Sequence, residues 1–217
     1  MCFNLENEKK VTFYLVRHGE TQYNVEKRMQ GFCDSPLTEK GILQAKSVGK
    51  GLSDIPFKAA YASDSQRVLD TAKYAIASRD IPLNVDPRFK EMNFGVLESL
   101  LEEEILAQYG NILKTLFSLE DLHISAPEGE SYVQLFTRTE KAIEEIVKKY
   151  SADGGNILIF SHGVTIGNYI RQITKGSEFP VHENCSVSVV SYVNGQPLVE
   201  RTADRYYREK GHECLNK

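Results

Sequence analysis

The chain has 217 residues, 41% hydrophobic and 26% charged, which excludes a disordered segment and allows a sizeable core within one domain. A formal net charge of −4 excludes a broadly basic nucleic-acid surface, although not a local cationic pocket. No apolar run approaches the roughly 20 residues of a membrane helix, and the polar start from Met1 to Lys10 does not read as a signal peptide. Cys2, Cys33, Cys185 and Cys214 lack C-x-x-C spacing and read as free thiols of a reducing cytoplasm, the expected location, rather than as a zinc site or a disulfide framework.

In chain order, the apolar run 11–16 predicts a buried strand that ends in Arg17-His18-Gly19. A loop with Gly31, Asp34 and Pro36 follows. Thr38 is the expected N-cap of an amphipathic helix to about Leu52, with Ile42, Ala45, Val48, Gly49 and Leu52 on one face. Residues 59–62 read as a second strand. Ser63-Asp64 is expected to cap the helix that carries Val68, Leu69, Ala72, Ala75 and Ile76. A brief edge strand, 83–85, precedes an acidic, mainly helical stretch at 99–122, and 127–131 breaks the chain before a long helix to about Tyr150. A strand at 157–160, a helix at 164–174 and two strand-like runs, 186–193 and 197–202, complete the order, with Asn194-Gly195 as a hairpin signal. The tail from Ala203 is charged and is expected either to fray or to cover the site. This alternation predicts an α/β fold, a mostly parallel sheet with helices on its faces. The expected organisation is a single domain over 1–217 with an inserted helical cap at about 97–130.

Two apolar strands thus end in His-Gly, at His18 and His162, 144 positions apart. Residues just past the C-terminal ends of such strands line the sites of α/β proteins, so the two imidazoles are expected to face each other across one pocket. Arg17 supplies a cation there and His18 a nucleophile. In isolation a strand-end histidine is more often structural, Arg67 reads as a surface ion pair and Glu91 as solvated surface. The ordered set changes that weighing: Arg17-His18-Gly19, Asn24, Gln30-Gly31, Ser63-Asp64-Ser65-Gln66-Arg67, Glu91 before Asn93-Phe94-Gly95, Pro127-Glu128-Gly129-Glu130-Ser131, Ser161-His162-Gly163 and Asn184-Cys185-Ser186.

This set resembles the histidine phosphatase superfamily, also called the phosphoglycerate mutase-like family, over about residues 11–195. The resemblance implies a three-layer α/β/α sandwich. It implies that His18 accepts a phosphoryl group as phosphohistidine, that Arg17, Arg67 and His162 hold the phosphoryl oxygens, and that Glu91 donates a proton to the leaving oxygen and then activates water. Asn24, Gln30 and Gly31 line the same pocket in relatives. From below, the chemistry fits these residue types: phosphoryl transfer is mostly positioning and electrostatics, arginine offers a fixed fork to two oxygens, and a neutral imidazole is available near neutral pH. The second ring nitrogen needs an acceptor, for which a nearby backbone carbonyl would serve. Glu98, Glu130 and Arg138 are expected to fix loops, His123 to lie in the cap, and His182 and His212 to be structural or at the surface.

Family members divide by whether water or a second hydroxyl takes the phosphoryl group. Here the insertion between Glu98 and Pro127 holds one lysine, Lys114, and no arginine against Glu102, Glu103, Glu104, Glu120 and Asp121. A doubly charged phosphoglycerate would meet carboxylates unless the tail or Lys90 supplied cations. Mutase relatives usually carry Glu-Arg-His-Tyr-Gly where this chain has Glu91-Met92-Asn93-Phe94-Gly95. The expected activity is therefore a phosphomonoesterase on a small phosphorylated metabolite, with a 2,3-bisphosphoglycerate-dependent mutase as the alternative and a non-catalytic phosphate-binding module as the alternative of another class. No metal or other cofactor, nucleic acid or membrane is expected, and a homodimer is compatible with the family. Two positions depart from the usual pattern: Ser99 replaces a common glycine, and Val96 replaces an aromatic.

Overall fold

The computed structural model describes residues 9–177 and 179–216, so Cys2 and most of the polar start lie outside the described residues. Six strands form one sheet: β1 (Val11–Arg17), β2 (Phe57–Ala62), β3 (Leu83–Val85), β4 (Gly155–Ser161), β5 (Val187–Val193) and β6 (Gln196–Asp204), in the spatial order β3-β2-β4-β1-β5-β6. The first four are mutually parallel, while β5 runs antiparallel to β1 and β6 antiparallel to β5. Asn194 and Gly195 both have positive φ, 52° and 71°, as the tight turn between β5 and β6 requires.

Among the described residues the helices are α1 (Gln22–Glu26), α2 (Glu39–Gly51), α3 (Gln66–Ala75), α4 (Glu102–Tyr109), α5 (Ile112–Ser118), α6 (Tyr132–Tyr150), α7 (Gly163–Thr174) and α8 (Tyr206–Leu215). Central strands are apolar on both faces because both faces are covered. Phe13, Leu15, Ile157 and Ile159 meet Ala142, Ile143 and Ile146 of α6 and Ile166 and Ile170 of α7. Their neighbours Val16, Leu158 and Phe160 meet Ala45 and Val48 of α2 and Val68 and Ala72 of α3. The result is the three-layer arrangement the motifs implied.

Thr38 caps α2 as expected, its Oγ1 accepting from the Gly41 N–H at 3.0 Å. The expected cap of α3 is corrected: Ser65 is the N-cap residue and its side chain makes no capping bond, while the Gln66 N–H donates to Asp34 Oδ2 from another loop. The acidic stretch holds two short helices, broken at Gly110, where φ is +60°. It leaves the body through a closed neck, with the Val96 N–H donating to Pro127 C=O at 3.1 Å and the Glu130 N–H to Asn93 C=O at 2.9 Å. Leu97, Ile105 and Leu116 of this stretch share a core with Met92 and Phe94 and with Tyr132 and Leu135 of α6.

The tail neither frays nor covers the site. It forms α8, which lies against α2 almost backbone to backbone: a Cβ on Gly211 would stand 1.8 Å from Ser47 C=O. Arg208 on α8 donates to Asn184 C=O at 2.6 Å, tying this helix to the turn before β5.

Candidate active site

β1 and β4 pair in register, Arg17 opposite Ser161, so His18 and His162 leave neighbouring strand ends side by side, with ring centroids 5.3 Å apart. His18 Nδ1 lies 2.8 Å from Gly19 C=O. A carbonyl only accepts, so Nδ1 carries the proton and Nε2 keeps its lone pair. Burial, and then the charges of Arg67 and Arg17, push this imidazole well below its ordinary pKa, so the ring is neutral at pH 7. Gly19 is required by close approach: a Cβ there would stand 2.5 Å from Gly41 C=O at the start of α2. Its N–H donates to Thr71 Oγ1 at 3.0 Å.

His162 is held in the opposite tautomer. Arg67 Nη2 donates to its Nδ1 at 3.0 Å, and its Nε2–H donates to Ser63 Oγ at 3.0 Å. Burial, Arg67 and His18 depress its pKa well below the usual value. Both ring nitrogens are thus engaged by the protein, and the ring orients Arg67 rather than opening directly into the cavity. Arg67 also donates to Cys33 C=O at 2.8 Å, Asp34 Oδ1 at 2.9 Å and Gly31 C=O at 2.7 Å. Arg17 donates to His182 C=O at 2.5 Å. The Nε of Arg17 and the Nε of Arg67 are buried with no hydrogen-bond partner. Orphaned buried donors cost about 1–3 kcal/mol each, and two on cationic forks beside a neutral imidazole make a site suited to an anion.

Glu91 follows a 3-10 turn at Pro87–Phe89 and reaches the start of α7. Its Oε1 accepts from the Met92 N–H (3.0 Å), the Thr165 N–H (2.9 Å) and Thr165 Oγ1 (2.9 Å), while Oε2 accepts from the Val164 N–H alone, at 3.1 Å. The carboxyl group therefore caps a helix N-terminus, with Oε2 the less occupied oxygen. Arg138 buttresses this segment, donating to the carbonyls of Arg88, Lys90 and Glu91 at 2.7–2.8 Å and pairing with Glu130. Glu98 clamps the loop around Arg67, accepting from the N–H groups of Phe32 (2.8 Å), Cys33 (2.5 Å) and Phe94 (3.1 Å).

A cavity of about 560 Å³ opens over this cradle, with Arg17, His18, Glu91, Asn24 and Gln30 in its lining. Asn24 Oδ1 accepts from Asn184 Nδ2 at 3.1 Å, and Gln30 Oε1 from Thr21 Oγ1 at 2.9 Å. Gly31, Arg67 and His162 lie behind that lining. Gly31 acts through its carbonyl on Arg67, and a Cβ there would stand 2.4 Å from Glu98 Oε1. Lys90 pairs with Asp64 at 3.3 Å and does not line the cavity. His123 is exposed and outside the lining. His182 is buried, and its carbonyl holds Arg17. Asp34, Ser63 and His182 carry no role at the site in the sequence, where Ser63 reads only as a helix cap and His182 as a structural or surface residue. The Asp34 and Ser63 contacts span 33 and 99 positions, so no local pattern announces them.

Ser99, at the usual glycine position, has φ of +66°, which explains why glycine is common there. Cys33, Cys185 and Cys214 are free thiols, and burial pushes Cys185 up to about 12. No helix among the described residues is long and apolar enough to cross a membrane.

A family model of the histidine phosphatase superfamily (branch 1) matches residues 13–205. A curated relative, the "Probable phosphoglycerate mutase GpmB" of Enterobacter sp. (strain 638), is 34% identical over 184 residues, 82% of this chain and 84% of its own. The solved structure of a phosphoglycerate mutase from Bacillus anthracis str. Sterne superposes with a TM-score of 0.85 at 32% identity, over 94% of this chain and 98% of the other. A mycobacterial glucosyl-3-phosphoglycerate phosphatase shares the fold, with a TM-score of 0.79 at 23% identity, over 90% of this chain and 99% of the other. The chain belongs to the histidine phosphatase superfamily.

Proposed function

We propose that the chain is a phosphomonoesterase that works through a phosphohistidine on His18 and acts on a small phosphorylated metabolite. The observation that carries this reading is the neutral, tautomer-fixed His18, whose unprotonated Nε2 stands beside two guanidinium groups with orphaned donors. Nε2 attacks phosphorus as the P–O bond to the ester oxygen breaks, and Glu91 gives its proton to that oxygen. The less occupied Oε2 is the atom to carry this proton. Arg17 and Arg67 stabilise the charge on the three equatorial oxygens, with His162, Ser63 and Asp34 holding Arg67 in place. Water then attacks phosphorus, Glu91 takes its proton, the P–N bond breaks, and inorganic phosphate leaves a neutral His18. Asn24 and Gln30 line the phosphate end.

Hydrolysis rather than mutation is supported by the charges at the rim. Arg28 is occupied by Glu26 (2.8 Å), Ser99 C=O (2.8 Å) and Glu104 (3.6 Å), and Lys90 by Asp64, while Glu102 adds a carboxylate to the lining. Among the described residues, Lys27 is the cation that remains in the lining, so a second phosphate or a carboxylate finds a single lysine set against Glu102. The relatives named as phosphoglycerate mutases favour the mutase as second reading. We assign the enzyme to the cytoplasm, supported by three free thiols and no disulfide among the described residues.

The test incubates the protein and His18→Ala with simple phosphomonoesters, and with 3-phosphoglycerate plus catalytic 2,3-bisphosphoglycerate, following free phosphate and 2-phosphoglycerate. Phosphate release that requires His18 is expected. Formation of 2-phosphoglycerate with little free phosphate overturns hydrolysis in favour of the mutase, and silence in both arms favours a phosphate-binding module.

A further inference from the structure

The two ends of the cavity differ in kind. Arg17 supplies the cation of a floor that it shares with the neutral His18, whereas Phe94, Leu100, Ile105, Leu113, Phe117 and Val181 line the wall. That wall is continuous with the apolar core between the insertion and α6, in which Phe94 is 2% and Ile105 1% exposed, so it is anchored rather than loose. Yet Phe117 and Val181 remain 44% and 82% exposed. Apolar surface left open to water inside a pocket, next to an anion cradle, matches a ligand with a phosphate at one end and hydrocarbon at the other. The charged rim adds a second constraint. Arg28 is already paired, which leaves Lys27, among the described residues, as the one other basic side chain in the lining outside the cradle, and the Glu102 carboxylate lies in the same lining.

We propose that the substrate is a phosphomonoester with an extended apolar body and no second anionic group, its hydrocarbon lying along Phe117, Leu113 and Val181. This rests on the reading above that the phosphate is held at Arg17 and His18.

An n-alkyl phosphate series, from ethyl through butyl and hexyl to octyl, tests it, because the leaving alcohol stays chemically constant while the body grows. Burial of each methylene is worth about fourfold, so kcat/KM is expected to climb by about that factor per carbon until the wall is covered. Phe117→Ala is expected to flatten the climb. Val181→Ser, at a position too exposed to carry the core, does the same. Adding a carboxylate to the far end of the hexyl ester is expected to lower kcat/KM about tenfold or more.

A flat or falling series overturns the proposal, as does a climb that both variants leave intact, or equal rates for the hexyl ester and its carboxylated analogue. If no ester turns over, the hydrolytic reading falls by itself, and calorimetry with ethyl- and hexylphosphonate still reads the wall. Tighter hexylphosphonate binding upholds the proposal, and equal binding overturns it.

Discussion

β1 and β4 arrive at the site with nearly the same text, an apolar run followed by His-Gly, and lie in register beside each other. Their histidines nonetheless end in opposite states. His18 takes its acceptor from the next carbonyl, puts its proton on Nδ1 and leaves Nε2 free. His162 takes its partners from Arg67 and Ser63, 95 and 99 positions away, puts its proton on Nε2 and leaves neither nitrogen free. The strand end delivers an imidazole to the site. What the imidazole does there is decided by the neighbours that occupy its two nitrogens, which is where the two motifs part.

Four experiments break or sharpen that contrast. His18→Asn removes the free nitrogen, and kcat is expected to fall at least about a thousandfold, as for a covalent nucleophile. The acid-labile phosphoryl label on the protein is lost with it, and a label that persists assigns the nucleophile elsewhere. His162→Asn leaves that nitrogen but frees Arg67 from one partner. Misplacing a charge-stabilising group by about 1 Å costs about a hundredfold, so kcat/KM falls by about that factor while the label still forms. Equal losses in the two variants would erase the distinction between them.

His182 extends the comparison to a third buried imidazole, whose Nδ1–H donates to Pro180 C=O at 3.0 Å. Burial holds it at about 4 against an ordinary value near 6.5. The unfolded chain therefore takes up a proton below pH ~6.5 that the folded chain refuses until about pH 4. The stability that the neutral ring contributes is complete above pH ~6.5. It drains away as the pH falls towards 4, at about 1.4 kcal/mol per pH unit from this group alone. His18 and His162 act in the same direction. Urea midpoints at pH 7.0, 6.0 and 5.0 should fall in that order, and a level series contradicts the neutral-ring account. The smallest effect is a control away from both strand ends: Ser99→Gly relieves a left-handed residue and should gain about 0.5–1 kcal/mol in the same denaturation. A loss would mean that the Ser99 hydroxyl, which donates to Glu98 C=O at 2.5 Å, outweighs the strain.

The central strands and the amphipathic helices were legible because burial writes itself as apolar periodicity. α8 was not, because its contact with α2 runs through Gly51 and Gly211, and close backbone approach leaves no hydrophobic stripe to read. α1 is five residues long and below any periodic signal. At the site, Arg17, His18, Arg67, Glu91 and His162 were legible as an ordered set; Arg17, His18 and Glu91 line the cavity, and Arg67 and His162 lie behind it. The engagement of His162 with Arg67 and Ser63 was not legible, nor was the retreat of Gly31 behind the lining. Both depend on carbonyl and hydroxyl partners that any residue type, or any serine, offers equally well in a sequence.

The closed neck of the insertion, Val96 to Pro127 and Asn93 to Glu130, has a consequence for inheritance. Much of the apolar wall hangs on a stretch of chain fastened at its base, whereas Arg17 and His18, where we place the phosphate, lie at a strand end outside it. Mutations within α4 and α5 can change which esters fit without moving a strand end. A lineage can thus change what the cavity admits while its strand ends stay fixed.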